Sequence, residues 1–162
     1  MATESGSATV TITRTADTNA YAANDVVGAA TGSTAAVEFA NMGLGGGRIM
    51  LTSARLMIND TGVISGEANY RLHLYSRTPP GALGDNAAWD LPSGDRTYYR
   101  GFVDLGTPVD LGSTLYVEAN TLNKQVNLET KSLFGYLVTT GAYTPTSGRV
   151  YTVELNSIAF QA

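Results

Sequence analysis

Cysteine is absent from the 162 residues of this chain, and histidine occurs only once. Without cysteine there is no disulfide framework, no thiolate zinc site and no cysteine nucleophile, so the fold must be held by its core, either alone or together with self-association. The sequence also lacks an apolar run long enough to span a membrane, and its first residues lack the basic and apolar regions of a secretory leader. These absences predict a protein that is made in the cytoplasm and does not contact a membrane.

Charged residues are sparse, at 15% of the chain, and ten basic against fourteen acidic residues give a net charge of −4. A surface with this sign repels phosphates, so direct binding to nucleic acid is not expected. Eight of the ten basic residues are arginine. Because arginine pairs with carboxylates through two parallel hydrogen bonds, this bias favours a role in binding protein.

Apolar and polar side chains alternate along most of the chain, which is the pattern of half-buried strands. Eight or nine such segments are separated by Gly, Pro and Asn turns, without helical segments between them. The fold class predicted is therefore all-β, an antiparallel β-sandwich of the jelly-roll type. Residues 1–8 lack an apolar period and are predicted to form a flexible arm, with residues 9–162 as one sandwich domain.

Two changes in the alternation predict β-bulges. The first lies between Leu51 and Ala54, where the apolar positions change from odd to even numbers, so an extra residue is expected near Ser53. The second lies in the last strand, where Leu155 gives way to Ile158.

Catalytic chemistry is not predicted. His73 falls on the polar side of its strand, and no G-x-S-x-G motif supplies a nucleophile that it could activate. The glycine cluster at 43–47 lacks the spacing of a phosphate-binding loop and indicates a turn between strands. We therefore expect neither an enzyme nor a bound cofactor.

Residues 78–97 form a long connection whose one large apolar residue is Trp89. Asp85, Asp90 and Asp95 recur in it every five residues, and they could surround a calcium ion if the loop folded back on itself. They lack the spacing of an EF-hand, and turns closed by an aspartate oxygen explain the same residues without a metal. The latter interpretation is favoured, and no metal site is predicted.

One strand is predicted to turn arginine and tyrosine outward, and both residue types are enriched at protein interfaces. A solvated sheet face is the alternative interpretation. Together with the long connection, this face supplies the candidate partner contacts, which are Trp89, Asp85, Asp90, Asp95, Arg96, Arg71, His73, Tyr75 and Arg77.

Four segments of the chain carry a family resemblance: RTADTNAYAANDVVG, DNAAWDLPSGDRTYYRG, DLGTPVDLGSTLYVEANTLNKQVNL and LVTTGAYTPTSGRVYTVEL. Together they resemble the small structural proteins of tailed bacteriophages that act as capsid cement or decoration proteins. The resemblance implies a jelly-roll sandwich that binds the outer surface of an assembled HK97-type shell, often as a symmetric oligomer.

The residues and the resemblance together predict a structural virion protein that cements neighbouring capsid subunits and stabilises the mature shell. Its expected partners are the major capsid protein and further copies of itself, as a dimer or trimer, on the outer capsid surface. The alternative is a carbohydrate- or receptor-binding module of a virion, with Tyr98, Tyr99 and Trp89 as an aromatic platform.

Overall fold

The computed structural model describes residues 5–160, and within that range the chain is built from strands without helices. No helix that could cross a membrane occurs there. The strands are β1 (Ser5–Thr13), β2 (Val26–Val27), β3 (Val37–Phe39), β4 (Arg48–Ile58), β5 (Tyr70–Tyr75), β6 (Tyr99–Gly106), β7 (Val109–Asp110), β8 (Leu115–Ala119), β9 (Lys124–Asn127), β10 (Leu133–Thr139) and β11 (Val150–Phe160).

The strands form two antiparallel sheets. Sheet 1 has the order β1-β11-β4-β8-β7, with β9 also paired to β4, and sheet 2 has the order β2-β10-β5-β6, with β3 also paired to β10. We take β2 with β3 as one interrupted strand, and β8 with β9 as another. The strand pairs are then nested along the chain: β1 with β11 is outermost, β2 and β3 with β10 come next, then β4 with β8 and β9, and β5 with β6 is innermost. Nested pairing across two sheets is the jelly-roll topology, so the predicted fold class is confirmed.

The main core lies between the two sheets. One continuous buried cluster fills this space and includes Leu56 and Val153 from sheet 1 and Leu72 and Leu137 from sheet 2. These residues come from strands that are distant in sequence, so the core ties the nested pairs together. A second, smaller buried cluster lies elsewhere and includes Tyr75 and Tyr136.

The predicted bulge in β4 is confirmed. Asn156 of β11 lies opposite Ser53, but its neighbour Ser157 lies opposite Leu51, so Thr52 is the extra residue. The bulge falls where β4 changes partners, since β9 pairs with residues 48–51 and β8 with residues 54–58. The carbonyl of Thr52 accepts a hydrogen bond from the Leu122 amide at 3.1 Å. The extra residue therefore fits the junction between the two partner strands.

The second predicted bulge is wrong. The odd-numbered residues of β11, from Tyr151 to Ala159, are all buried, and its register with β1 runs without a break. Ser157 faces inward, where its hydroxyl donates to the Met42 carbonyl at 2.7 Å. Ile158 instead faces outward. The apolar residues seemed to move from odd to even positions only because one inward position, 157, is occupied by a small polar residue.

β1 begins at Ser5 and pairs with β11 along its whole length, with Ser5 opposite Ile158 and Thr13 opposite Val150. Residues 5–8, which were predicted to belong to the flexible arm, thus lie in a strand. Backbone hydrogen bonds to β11 hold them, and such bonds need no apolar side chains. Residues 1–4 of the predicted arm lie outside the described residues.

Candidate partner-binding surface

Residues 78–97 lie across the outer face of sheet 2. The Val26 amide donates to the Ala87 carbonyl at 2.8 Å, and the Trp89 amide donates to the Asn24 carbonyl at 2.9 Å. On the sheet itself, the hydroxyl of Tyr136 accepts a hydrogen bond from the Leu83 amide at 3.2 Å. The long connection is therefore fixed to the sandwich at several points along its length.

Trp89 is the main contact between the long connection and the outer face of sheet 2. Its ring stacks on the imidazole of His73, with the ring centroids 3.7 Å apart. Beside it, Tyr75 is fully buried and meets Tyr136 edge to face at 5.8 Å. The predicted outward face is therefore corrected for His73 and Tyr75. Both point away from the main core, but the connection buries them, and neither can contact a partner.

The environment of His73 keeps its imidazole uncharged. Burial, and to a lesser extent the charge of Arg71, lower the pKa of His73 to about 4, although Asp104 partly opposes both effects. The imidazole Nδ1 lies 3.0 Å from the hydroxyl of Tyr99, within hydrogen-bond distance. A neutral, stacked and hydrogen-bonded imidazole holds the connection against the sheet.

Two of the three loop carboxylates have structural roles. Asp85 is buried and accepts hydrogen bonds from the Tyr21 hydroxyl at 2.5 Å, the Gly28 amide at 2.8 Å and Arg14 Nη2 at 3.0 Å. Asp95 is also buried, and it accepts from the Gly81 amide at 3.1 Å. The donors of Asp85 lie 57 to 71 residues away and the donor of Asp95 lies 14 residues before it, so the predicted turns closed by a neighbouring amide are wrong for this pair.

The three aspartates do not form one site. Asp90 is exposed, whereas the other two carboxylates are enclosed by their donors. Among the described residues, no three His, Asp or Glu side chains come together in an arrangement that could hold a metal ion. Asp85 and Asp95 are therefore removed from the candidate partner contacts, because their oxygens are already used within the protein.

The accessible candidates lie around the edge strand β6. Arg77 and Arg96 are exposed, like Asp90, and Trp89 is only partly buried. Arg71 is paired with Asp104, Nε to Oδ1 at 2.7 Å, and its guanidinium lies over the ring of Phe102 at 4.9 Å.

Phe102, which sequence reasoning missed, is 43% exposed. We call Arg71, Trp89, Tyr99 and Phe102 the aromatic patch. Farther along the chain, Val109 in β7 is 57% exposed and Leu111, just after β7, is 64% exposed.

Sequence reasoning also missed three cations that lie near Arg77 beside β6, namely Arg48, Arg100 and Lys124. Arg48 donates to the Asn127 side chain at 3.1 Å, and Arg100 donates to the Asn127 carbonyl at 3.2 Å. Both line a surface depression of about 330 Å³. Glu129 binds Arg100 at 3.4 Å and Arg77 at 3.1 Å.

Lys124 completes the group. Its ammonium lies over Gly101, whose φ of +83° favours glycine and where an added Cβ would come within 2.7 Å of the lysine nitrogen. We call Arg48, Arg77, Arg100 and Lys124 the basic corner. It carries four cations around Glu129, in a chain whose net charge is −4. Only the pairing of β4 with β9 brings Arg48 to this group, so no local sequence motif could have revealed it.

The opposite end of the sandwich holds a buried polar network. Arg149 Nη2 donates to Glu67 Oε2 at 3.0 Å, and its other nitrogens lie 2.9 Å from Glu67 Oε1 and 3.0 Å from Asp60 Oδ2. The hydroxyls of Tyr70, Tyr143 and Tyr151 extend the network, with Tyr70 donating to Glu67 at 2.6 Å.

Burial raises the pKa of all three tyrosines, so their hydroxyls stay protonated. We call these six residues the end network. Its charges are engaged with one another inside the protein.

Comparison with known proteins found no matching family model and no match among the curated proteins. Among solved structures, the chain is similar to one from the capsid of Ralstonia phage GP4, at 14% identity and a TM-score of 0.45, over 99% of this chain and 86% of that one. It is also similar to a chain of the cyanophage Pam1 capsid, at 11% identity and a TM-score of 0.35, over 98% and 85%. A chain of the Israeli acute paralysis virus particle matches at 14% identity and a TM-score of 0.33, over 96% and 71%.

Proposed function

We propose that this chain is a structural virion protein that binds the outside of an assembled phage capsid and cements neighbouring subunits of the major capsid protein. The observation that carries the proposal is the exposure of large apolar side chains along β6 and the chain just after it, namely Phe102 in the aromatic patch and Val109 and Leu111 at the β7 edge of sheet 1. The family resemblance of the four sequence segments supports the same role.

Rigidity suits a cement protein. The long connection is fixed by Trp89 and by the enclosed Asp85, and the opposite end is fixed by the pairing of Arg149 with Glu67. Because these segments are ordered before a partner arrives, binding does not need to order them, and more of the contact energy appears as affinity.

The exposed residues are of the types that anchor protein interfaces. Aromatic and arginine side chains are enriched there, and a few of them usually carry most of the binding energy. Phe102 with Arg71 above its ring forms such a pair, and Leu111 is a large exposed apolar residue. These three residues are the proposed anchors on the capsid.

Stabilisation of the shell follows from linkage. A protein that binds the assembled mature shell more tightly than its precursors shifts the equilibrium toward the mature state. Individual contacts can be weak, because an oligomer that touches several capsid subunits gains avidity.

The double variant Phe102→Ser and Leu111→Ser tests the anchors. We expect its affinity for empty mature shells to fall at least about tenfold, because truncating one anchor commonly costs more than about 1.4 kcal/mol. Occupancy is measured by co-sedimentation with shells. The control is Leu44→Ser with Val63→Ser, two residues that are also exposed but lie elsewhere. Unchanged occupancy in the first variant, with thermal unfolding like that of the wild type, would refute the assignment.

The basic corner is expected to speed the encounter with an acidic area of the shell. Replacing Arg48 and Lys124 with glutamine should slow association and weaken its dependence on salt, because exposed charges act mainly on the association rate. Surface plasmon resonance on immobilised shells at two salt concentrations measures this. The same change at Arg55, which is paired with Glu154 on sheet 1, serves as the control. Equal salt dependence in both variants would exclude the basic corner from binding.

The carbohydrate- or receptor-binding alternative has less support. One face of Trp89 is covered by His73, and the guanidinium of Arg77 lies 4.2 Å from the ring centre of Tyr98. Trp89 and Tyr98 each have one ring face already occupied within the protein, which leaves less of either ring for stacking on a sugar. A glycan array separates the two functions, since specific sugar binding without shell binding would favour the alternative.

A further inference from the structure

The two sheets of the sandwich have edges of different kinds. In sheet 2, β2 and β3 have two and three residues, and β6 is interrupted by register shifts and carries the charged Asp104. At one side of sheet 1, β7 has two residues. Short strands, irregular pairing and charge are the means by which proteins prevent another strand from pairing at an edge.

β1 has none of these protections. It is nine residues long, its sequence SGSATVTIT contains neither charge nor proline, and its register with β11 has no shift. Among the described residues, its backbone bonds only to β11. In an antiparallel pair, alternate N–H and C=O groups point away from the partner strand, so β1 presents a row of unpaired backbone groups at the sheet edge.

The inner side of this edge is also open. Ala8 and Val10 point toward the core but remain partly exposed. Their register partners on β11, Leu155 and Val153, are completely buried. A strand added beside β1 would therefore gain apolar contacts as well as backbone hydrogen bonds.

We propose that β1 is a self-association site, where the β1 strands of two copies pair antiparallel about a two-fold axis and join the two copies of sheet 1 into one continuous sheet. A two-fold axis pairs the strand with itself, so a charge near its centre would face the same charge in the other copy. Residues 5–13 carry no charge and meet this condition. Their exposed side is a ladder of hydroxyl side chains, Ser5, Ser7, Thr9, Thr11 and Thr13, which form favourable cross-strand pairs with one another.

The lack of charge on β1 also favours a second copy of this chain, rather than a different protein, as the partner. A strand that selects a different partner usually does so with charges and with pockets for particular side chains. β1 offers only small hydroxyl groups and partly open Ala8 and Val10. This proposal adds to the proposed function by naming the surface through which the oligomer forms. Its test measures self-association without capsid shells, so the self-association site and the cement function can fail independently.

The double variant Thr9→Lys and Thr11→Lys tests the site in the full chain. In antiparallel registers centred near Val10, these lysines face lysines of the other copy, so we expect the dimer dissociation constant to rise at least about tenfold. Sedimentation equilibrium measures it. The control, Thr121→Lys with Asn123→Lys, adds the same charge at exposed positions away from the edge and should remain dimeric like the wild type. A wild type that stays monomeric, or a double variant that dimerises as tightly, would overturn the proposal.

Cross-linking gives a second readout that does not depend on how the lysine variant folds. Because the chain has no cysteine, single changes Ser7→Cys, Thr9→Cys and Thr11→Cys can be oxidised separately. The position closest to the two-fold axis should yield a covalent dimer, and Thr121→Cys should not. Absence of a covalent dimer at all three β1 positions, or equal yield at the control position, would contradict β1 pairing.

Discussion

Replacing Arg149 with methionine is expected to lower the free energy of unfolding by about 3–5 kcal/mol. The guanidinium is enclosed with the carboxylate of Glu67, and both side chains are inaccessible to solvent. Removing the cation leaves Glu67 buried without its partner and also unpairs Asp60. The desolvation of an uncompensated charge, rather than the loss of one contact, produces the large effect. Urea unfolding followed by intrinsic fluorescence measures it.

The matched control for this prediction is Arg77→Met. Arg77 pairs with Glu129 at 3.1 Å, close to the distances within the end network, but both side chains are substantially exposed. An exposed pair contributes about 0–1 kcal/mol, so the control should unfold nearly like the wild type. If the two variants lost similar amounts of stability, the end network would not be a buried ion pair of the kind described.

Acidification is expected to remove about 3 kcal/mol of stability through His73 alone. Its pKa falls from 6.5 to about 4 in the folded protein, so between these values the unfolded chain binds more protons than the folded one. Stability contributed by the neutral imidazole is therefore complete above about pH 6.5 and is lost as the pH falls toward 4. The stability of the wild type is compared with that of His73→Gln across this range, so that carboxylates common to both proteins cancel. Parallel curves would show that the His73 pKa is not lowered.

The variant Trp89→Ala should reverse this behaviour. Removing the stacked ring admits water to His73, and because burial is the largest cause of the lowered pKa, the pKa should rise toward 6.5. NMR titration of the single histidine reports it directly. Val63→Ala, which changes an exposed residue away from the long connection, should leave the titration unchanged. A His73 pKa that stays near 4 without Trp89 would mean that other groups, not this ring, exclude the water.

The sequence predicted those parts of the fold that depend on neighbouring residues. Alternation along β5 correctly placed Leu72 and Leu74 in the main core, and the predicted bulge between Leu51 and Ala54 is confirmed; both signals lie within one strand. The error in β11 has the opposite cause. Ser157 faces the core because Met42, far away in sequence, accepts its hydrogen bond, and the pattern of β11 alone carries no trace of that acceptor.

The candidate surface was predicted less well, because it depends on a segment with no periodicity. Alternation correctly separated His73 and Tyr75 from the main core, but it contained nothing to show that residues 78–97 would bury them. Asp85 was recognised as important, yet its donor Arg14 lies 71 residues away. Which residues are exposed on this surface depends on contacts between residues far apart in the chain, and a single sequence does not show those contacts.

Nested pairing also determines the order in which this chain can fold. The long connection between β5 and β6 lets His73 pair with Phe102 within one part of the chain, whereas β1 must meet β11 across almost the whole polypeptide. Closing longer loops costs more chain entropy, and folds with mostly non-local contacts take milliseconds to seconds to form. We therefore expect assembly from the inner strand pair outward, with β1 as the last strand to dock. In that order, the backbone of β1 stays unpaired during synthesis until β11 has left the ribosome.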